Sequence, residues 1–255
     1  MKVMEIRDEW SPDNICMGER SEPEPGPGQV LLRMKAASLN YRDWVLCQRG
    51  YGRRSGTLPL IPVSDGAGQV VAIGEGVSRV AVDDLACPIF GQTWISGPMR
   101  EEHWSGLLGG PLDGVMQEFM VLHESGVVKA PHGWSPVQTA TLPCAAVVAW
   151  NAVVKQGRAK AGDVVLVQGT GGVSLFALLF AKMQGAEVIA TSSSDNKLDR
   201  LKAMGADHVV NYKENPDWHK SARKITGGMG VDIIVEVGGA GTLEKSIQAM
   251  RPDGT

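Results

Sequence analysis

A glycine-rich turn between an apolar strand and an apolar helix constrains this chain more than any other feature of its sequence. The predicted strand is Val164–Gln168, and the predicted helix covers residues 172–184. Glycine permits a tight turn and a close backbone approach, and the free N–H groups that begin a helix attract phosphate. In this context the turn predicts a pyrophosphate-binding site. The predicted binding residues are Gly169, Thr170, Gly171, Gly172 and Val173.

Strands and helices alternate along the rest of the chain. Further strands are predicted at residues 187–191, 208–210 and 231–237, and helices at residues 196–204, 216–226 and 243–250. The strands are continuous Val/Ile-rich runs, as expected for parallel strands that are buried on both faces. We therefore predict an α/β fold, with a doubly wound parallel sheet of Rossmann type over residues 135–255. Because the chain ends before a fifth strand, we expect this sheet to be truncated after the fourth strand.

The first half of the chain has a different pattern. Gly, Pro, Asp and Ser separate five short apolar runs, at residues 30–34, 69–73, 85–90, 119–122 and 127–129. This pattern predicts a small all-β domain over residues 1–134. Residues 91–113 are rich in Gly, Trp and charge and form a longer connection than is usual. Such long loops are commonly functional or mobile.

Composition excludes several classes of partner. A net charge of −3 with scattered Lys and Arg offers no basic surface for nucleic acid. The longest apolar stretch, residues 173–181, is too short to cross a bilayer, and the N-terminus lacks a signal peptide. The four cysteines are widely spaced, which favours reduced thiols and a cytoplasmic location. The five histidines show no metal-binding spacing and are predicted to lie on the surface or in loops.

The residues after the second strand of the Rossmann unit bear on the choice of cofactor. Folds that select NAD place an Asp or Glu there, about 20 residues past the turn, to bind the ribose hydroxyls. Here Ser192, Ser193 and nearby Lys197 would instead suit the 2′-phosphate of NADP(H), which a carboxylate would repel. Tyr212, after the third strand, is a further candidate for this phosphate or for the adenine. Val237 and Gly238, at the end of the fourth strand, are predicted to approach the ribose or nicotinamide.

Four segments together resemble one known family. They are LNYRD at residues 39–43, IPVSDGAGQVVAIGEGV at 61–77, LPCAAVVAWNAV at 142–153 and GTGGVS at 169–174. The set resembles the medium-chain dehydrogenase/reductase superfamily, and within it the zinc-independent, quinone oxidoreductase-like branch. The resemblance implies a GroES-like N-terminal domain that binds a small-molecule substrate, and a homodimer in the intact-length protein.

The same resemblance bears on metal chemistry. Zinc-containing alcohol dehydrogenases of this superfamily hold a catalytic zinc with two cysteines and one histidine. The corresponding positions here carry Asn40, Ser64 and Cys144, so that one ligand of three remains. No cysteine lies between Cys87 and Cys144, so the four-cysteine structural zinc lobe is also missing. We therefore predict no metal.

Without a metal, hydrogen-bond donors must stabilise the charge that develops on a substrate carbonyl oxygen. The candidates are Asn40 and Tyr41, with Asp43 orienting the loop; a purely structural alternative is that Asn40 and Asp43 cap a turn. Ser64 and Cys144 are predicted to lie near the substrate. The predicted function is NADPH-dependent hydride transfer to a quinone, an enone or a related carbonyl. The alternatives are a metal-independent alcohol or aldehyde dehydrogenase and a non-catalytic NADPH-binding sensor.

Overall fold

The computed structural model describes all 255 residues, which divide into two compact units, Met1–Cys144 and Ala145–Thr255. The division falls later than the predicted boundary between residues 134 and 135. The reason is the helix Pro136–Ala140, which packs against strands of the first unit. No helix in the chain is long and apolar enough to cross a membrane.

The first unit is built from antiparallel strands. Residues 29–129 supply a five-stranded sheet in the order β6-β3-β4-β5-β7, and the N-terminal residues supply a two-stranded sheet, β1-β2. The strands are β1 (Lys2–Ile6), β2 (Ile15–Glu19), β3 (Gln29–Ser38), β4 (Asp65–Ile73), β5 (Leu85–Pro88), β6 (Phe119–His123) and β7 (Val127–Lys129). The sequence pattern predicted neither β1 nor β2, each of which is only five residues long.

Short helices connect these strands. The α-helices are α1 (Tyr41–Cys47) and α2 (Pro136–Ala140), and the 3₁₀ helices are Pro12–Asn14, Gly52–Ser55, Glu101–Gly106 and Glu124–Gly126. Ser135 begins α2 through a capping box with Gln138, and a proline at the first helical position reinforces this start. The core of the sheet consists of fully or nearly buried aliphatic side chains, among them Val30, Leu32, Val70 and Val127.

The second unit is a parallel sheet in the order β10-β9-β8-β11. Its strands are β8 (Val164–Gln168), β9 (Glu187–Ser192), β10 (His208–Asn211) and β11 (Ile233–Val235). Its α-helices are α3 (Val147–Trp150), α4 (Gly172–Met183), α5 (Asp195–Ala203), α6 (Trp218–Ile225) and α7 (Leu243–Ala249); π-helical turns at Leu142–Ala146 and Asn151–Gln156 flank α3. In sequence order the strands lie 3-2-1-4, which confirms the predicted Rossmann sheet up to its fourth strand.

Both faces of this sheet are covered, which explains the uninterrupted apolar strands. In β8, Val165 and Val167 face the cluster that contains Leu178 of α4, whereas Leu166 faces the cluster that contains Trp218 and Ala222 of α6. Successive strand residues point to opposite faces, so a sheet with helices on both faces needs an apolar residue at every position. Sequence therefore located the strands well, although β11 is shorter than the predicted 231–237.

One histidine departs from its predicted environment. His219 lies in α6 with an exposed fraction of only 8%, and its Nδ1 has no hydrogen-bond partner. The prediction that all five histidines lie on the surface or in loops is therefore wrong for His219. The periodicity of α6 places this residue beside Trp218 on the buried side of the helix, where the rings make an edge-to-face contact.

The long connection at residues 91–113 is an organised loop rather than an open one. Its base is closed by a bridge between Gly91 and Leu107. Its 3₁₀ helix is anchored by Arg54, whose guanidinium donates hydrogen bonds of 3.2 and 2.9 Å to the Glu101 carboxylate. The same guanidinium lies 4.2 Å from the centroid of the Trp104 ring. A cation–π contact and a two-point ion pair on one side chain together fix the loop.

Replacing Arg54 with Ala is expected to raise the rate of tryptic cleavage after Arg100, which lies in this loop, by about fivefold or more. Losing both contacts removes about 1–2 kcal/mol of the free energy that opposes local opening. Mass spectrometry of a digestion time course measures this rate. Arg53→Ala is the matched control, because Arg53 is an exposed neighbour in the same turn. Equal cleavage rates in the two variants would show that the Arg54 contacts do not hold the loop.

Candidate functional site

The glycine-rich turn follows β8 and leads directly into α4. Gly169 has a φ of +75°, a left-handed conformation that favours glycine, and Gly171 begins α4 from an extended conformation with φ −75° and ψ 170°. A Cβ atom added to either glycine would meet no atom within 4 Å, so the space beside the turn is open. Ser174, where such turns carry a third glycine, is buried and donates a 2.6 Å hydrogen bond to the carbonyl of Gln168.

A cleft of about 390 Å³ lies at the carboxyl ends of the parallel strands. Residues of β9 and residues at or after the ends of β8, β10 and β11 contribute to it, as expected for the ligand-binding crevice of an open α/β sheet. Its lining residues are Gln168, Gly169, Thr191, Tyr212, Pro216, Trp218, Val237, Gly238, Gly241, Thr242 and Lys245.

The structure brings together only some of the predicted cofactor-binding residues. Gly169, Tyr212, Val237 and Gly238 line the cleft. The chain continues from Gly169 into the start of α4 through Thr170, Gly171, Gly172 and Val173. The space beside Gly171 is open, whereas a Cβ added to Gly172 would lie 3.1 Å from the Cβ of Ala145.

The predicted phosphate-binding residues after β9 lie outside the cleft lining. Ser192 is the last residue of β9 and is only 2% exposed, Ser193 is half-buried, and Lys197 points from the exposed side of α5. Thr191 lines the cleft in their place. Thr191 and Ser192 are successive residues of β9, so their side chains point to opposite sides of the sheet. The serine run in the sequence does not indicate which of the two faces the cleft.

Glu236 is a positioning residue that the sequence analysis did not identify. One carboxylate oxygen accepts hydrogen bonds from the N–H groups of Gly238 (2.7 Å) and Gly239 (2.9 Å) and from the Thr242 hydroxyl (2.6 Å). The other accepts from Gln168 Nε2 at 2.8 Å and from the Ser246 hydroxyl.

These contacts fix the cleft wall that Val237 and Gly238 form. Burial disfavours the charge of Glu236, but hydrogen bonds from Ser246, Thr242 and Gln168 outweigh it and lower the pKa of this carboxyl. One feature of the sequence could have identified Glu236: it is an acidic residue at the end of an apolar strand, two residues before Gly238 and Gly239.

In the first unit, a second polar cluster forms around Asp65. Its side chain is fully buried and accepts hydrogen bonds from the Ser64 hydroxyl (2.8 Å) and from the N–H of Cys144 (2.9 Å). Burial raises the pKa of the Asp65 carboxyl; hydrogen bonds from Ser64, Asn40 and Cys144 offset part of the shift. Asp65 therefore connects three predicted site residues that are far apart in sequence.

The N-terminus of α1 joins the same cluster. The N–H of Asn40 donates a 2.7 Å hydrogen bond to the buried carboxylate of Asp43, so these residues do cap the helix. Burial also raises the pKa of Asp43. Tyr41, the first residue of α1, is 82% exposed, so its hydroxyl is accessible.

The Arg42 side chain is held by contacts within the first unit. It contacts Asp43 and the carbonyl of Leu108, and it lies 4.6 Å from the centroid of the Phe90 ring. These contacts give the Arg42 side chain a structural role in the first unit.

The Cys144 thiol is poorly suited to act as a nucleophile. Burial, together with the nearby charge of Asp65, raises its pKa to about 11, so it is protonated at neutral pH. Cys87 is similar, with a pKa of about 11 from the same causes. Nowhere in the chain do three or more His, Cys, Asp or Glu side chains form an arrangement that could hold a metal ion.

Comparisons with known proteins agree with this architecture. Residues 26–132 match the alcohol dehydrogenase GroES-like domain, and residues 172–255 match the zinc-binding dehydrogenase domain. The chain is 44% identical over 230 residues to the zinc-type alcohol dehydrogenase-like protein C1773.06c of Schizosaccharomyces pombe, covering 89% of this chain and 66% of that protein. It is 34% identical over 248 residues to the zinc-type alcohol dehydrogenase-like protein YogA of Leptosphaeria maculans, covering 92% and 69%.

Solved structures give the same result. A crystal structure described as that of an alcohol dehydrogenase from Sinorhizobium meliloti 1021 superposes with a TM-score of 0.92 at 41% identity, covering 99% of this chain and 74% of that one. A crystal structure of an NAD-dependent alcohol dehydrogenase superposes with a TM-score of 0.89 at 35% identity, covering 100% of this chain and 76% of that one. The quinone oxidoreductase of Pseudomonas syringae pv. Tomato DC3000 superposes with a TM-score of 0.81 at 27% identity, covering 99% of this chain and 71% of that one.

Two compact units of these kinds define a nicotinamide-dinucleotide-binding oxidoreductase fold. The chain belongs to the medium-chain dehydrogenase/reductase superfamily, in its quinone oxidoreductase-like branch, which confirms the resemblance drawn from the sequence. It spans about two thirds to three quarters of the length of these relatives.

Proposed function

We propose that this protein is an NADP(H)-dependent oxidoreductase that transfers a hydride to a quinone, an enone or a related carbonyl without a metal. Two features carry the proposal: an open glycine-rich turn beside a cleft in the second unit, and a polar cluster around Asp65 in the first unit whose side chains are not a set of zinc ligands. The proposal further includes a cytoplasmic homodimer, which rests on the resemblance and on the four unpaired cysteines.

The residues of the second unit fit a dinucleotide. The open space at Gly169 and Gly171 leaves room for a pyrophosphate against the N–H groups that begin α4. No carboxylate lines the cleft, which favours a cofactor with an additional phosphate over one without it. One structural relative is named as NAD-dependent, so the measured preference between the two cofactors is a direct test.

In this proposal the nicotinamide ring supplies the hydride, and the residues of the first unit manage charge and protons. Tyr41 presents an accessible hydroxyl that can donate a hydrogen bond, or a proton, to the developing oxyanion. Asn40 and Asp43 hold the start of α1, and Asp65 holds Asn40 and Ser64. The structure thus supports positioning roles for Asn40 and Asp43 and leaves Tyr41 as the candidate that touches substrate.

The donor set does not fit a catalytic zinc. Asn40 and Ser64 are poor ligands for this ion, and Asp65 already accepts several hydrogen bonds. Cys144 is the one soft ligand that remains, and a catalytic zinc needs three protein ligands. A metal-independent alcohol or aldehyde dehydrogenase is the second candidate function, favoured by the names of two relatives.

The test is the oxidation of NADPH and of NADH in the presence of quinones, enones and aldehydes, after removal of bound metal with a chelator. We expect NADPH to be preferred, and Tyr41→Phe to lower kcat by about tenfold or more because a hydrogen-bond donor is lost. Tyr51→Phe serves as the control, since Tyr51 is an exposed tyrosine outside the cluster. Activity that disappears with the chelator and returns with zinc would contradict the metal-free mechanism. Binding of NADPH without turnover of any substrate would favour a sensor.

A further inference from the structure

Val63 has a backbone conformation that valine rarely adopts. Its φ is +71°, in the left-handed region, and its side chain is 3% exposed, within the core of the first unit. A branched Cβ makes this conformation costly, so it persists only where the surrounding structure enforces it. Backbone strain of this kind is concentrated at functional sites, and Val63 directly precedes Ser64 and Asp65 of the polar cluster.

The segment 109–115 enforces the conformation of Val63. The carbonyl of Val63 accepts a 2.8 Å hydrogen bond from the N–H of Val115. The backbone of Gly109 packs so closely that an added Cβ would lie 2.8 Å from the carbonyl carbon of Val63 and 2.9 Å from the nitrogen of Ser64. These two contacts hold the backbone of Val63 and the start of Ser64 in place.

A further anchor lies two residues before Val63. The N–H of Ile61 donates a 2.9 Å hydrogen bond to the Asp113 carboxylate, and the Ile61 carbonyl accepts one of 2.6 Å from the N–H of Gly114. Asp113 is itself held by an ion pair of 2.6 Å with Arg20. The backbone is therefore fixed before Val63 as well as at Val63, as a strained conformation requires.

Ser64 connects the two buried acids of the polar cluster. Its hydroxyl donates a 2.8 Å hydrogen bond to Asp65, and its N–H donates to the carboxylate of Asp43. Both acids also accept hydrogen bonds from Asn40, Asp43 from its N–H at 2.7 Å and Asp65 from its side chain. The two carboxylates thus link Ser64 to Asn40, which directly precedes Tyr41 at the start of α1.

We infer that Val63 is a positioning residue for the proposed reaction. Its left-handed conformation, held by residues 109–115, aims both hydrogen-bond donors of Ser64 at the two acids and thereby fixes Asn40 and Tyr41. This inference rests on the proposed function. The side chain of Val63 fills the core and its backbone turns Ser64, and only the second of these roles acts on the site.

The first test compares glycine and alanine at position 63 by thermal unfolding of the full chain. Both substitutions remove the valine methyl groups, but only glycine adopts a left-handed conformation without strain. We expect the unfolding midpoint of Val63→Gly to lie about 2–4 °C above that of Val63→Ala. The control is Val70, a fully buried valine of β4, where Val70→Gly should unfold below Val70→Ala. A lower midpoint for glycine at both positions would overturn the inference.

The second test uses Gly109→Ala, whose added Cβ would push against the backbone of Val63 and Ser64. We expect kcat for the reduction of a quinone by NADPH to fall about tenfold or more, because the site is displaced. The carboxyl titrations of Asp43 and Asp65, followed by ¹³C NMR, should move to higher pH. Burial raises the pKa of both acids, and the hydrogen bonds from Ser64 that would be lost offset part of that rise.

Two further variants complete this test. Gly76→Ala is the matched control, because Gly76 also has a positive φ, +82°, but open space beside it, so it should change neither readout. Asp113→Ala is a milder change that only releases the N–H of Ile61 and the Arg20 guanidinium. It should move both readouts in the same direction as Gly109→Ala, by less.

Three results of the second test would overturn the inference. Unchanged carboxyl titrations in Gly109→Ala and Asp113→Ala would mean that the segment 109–115 does not aim Ser64. Titrations that move while kcat stays the same would mean that Ser64 does not position the site. Absence of turnover by the unaltered chain would overturn the proposed function and the role in turnover together, whereas the stability order at position 63 and the titrations would still decide whether Val63 aims Ser64.

Discussion

Replacing Gly171 with Asp is expected to weaken NADPH binding by at least about a hundredfold while leaving the protein as stable as the unaltered chain, or slightly more stable. Gly171 begins α4 from an extended conformation that any residue adopts, and an added Cβ meets no atom within 4 Å. Asp is a favourable residue at the start of a helix, and replacing glycine also lowers the entropy of the unfolded chain. Its carboxylate would, however, stand where the pyrophosphate is expected and would repel it.

Calorimetry gives the affinity, and thermal unfolding gives the stability. Gly171→Asn is the matched control, because Asn has the same shape and the same capping ability without the charge, so it should lose less affinity than Asp. A second comparison is Gly169→Ala, which should cost about 1 kcal/mol of stability because Gly169 has a φ of +75°. NADPH affinity that is unchanged in Gly171→Asp would mean that this turn does not bind phosphate.

Replacing Asp65 with Ala is expected to lower the free energy of unfolding of the first unit by about 3 kcal/mol and to reduce turnover strongly. The truncation leaves the Ser64 hydroxyl and the Cys144 N–H without partners in a fully buried site. Each unpaired buried donor costs about 1–3 kcal/mol, and the relief from removing a buried carboxylate offsets part of this. Urea unfolding, followed by a signal from the first unit, measures the loss.

The exposed acid Glu22 provides the control, since Glu22→Ala should change stability by less than about 0.5 kcal/mol. Unchanged stability in Asp65→Ala would show that the cluster does not depend on this carboxylate.

A second variant, Asp65→Asn, isolates the effect of pH. Burial raises the pKa of Asp65 above its ordinary value of 3.8, so the folded protein retains this proton to higher pH than the unfolded chain does. The stability of the unaltered protein relative to Asp65→Asn should therefore fall as the pH rises from about 4 through the folded pKa, and then level off. A relative stability that rises over this range would contradict the assignment of a raised pKa.

Much of the second unit could be predicted because its signals are local. The turn at Gly169 to Val173 needs glycine for its backbone conformation, and its flanking strand and helix are continuous apolar segments of the expected lengths. The parallel sheet follows, since strands covered on both faces need apolar residues at successive positions. Strand ends were less well defined, as β11 shows, because the end of a strand depends on which neighbour it pairs with.

The sites were predicted only in part. The sequence pointed to Asn40, Tyr41, Asp43, Ser64 and Cys144, but it gave no reason to place Asp65 at their centre. That arrangement depends on contacts between residues 79 positions apart, such as Asp65 and Cys144. The positioning role of Glu236 was missed for the same reason, because Glu236 contacts residues supplied by other elements of the fold.

The sequence by itself determined the fold class, the glycine-rich turn and the family, all of which depend on residue type and on spacing along the chain. The tertiary structure alone decided which charged groups face the cleft. It turned Lys197 outward and Lys245 inward, buried His219, and gathered the Asp65 cluster from three segments. The physical reason is that burial and pairing of a polar group depend on neighbours in space, and for these residues the neighbours are distant in sequence.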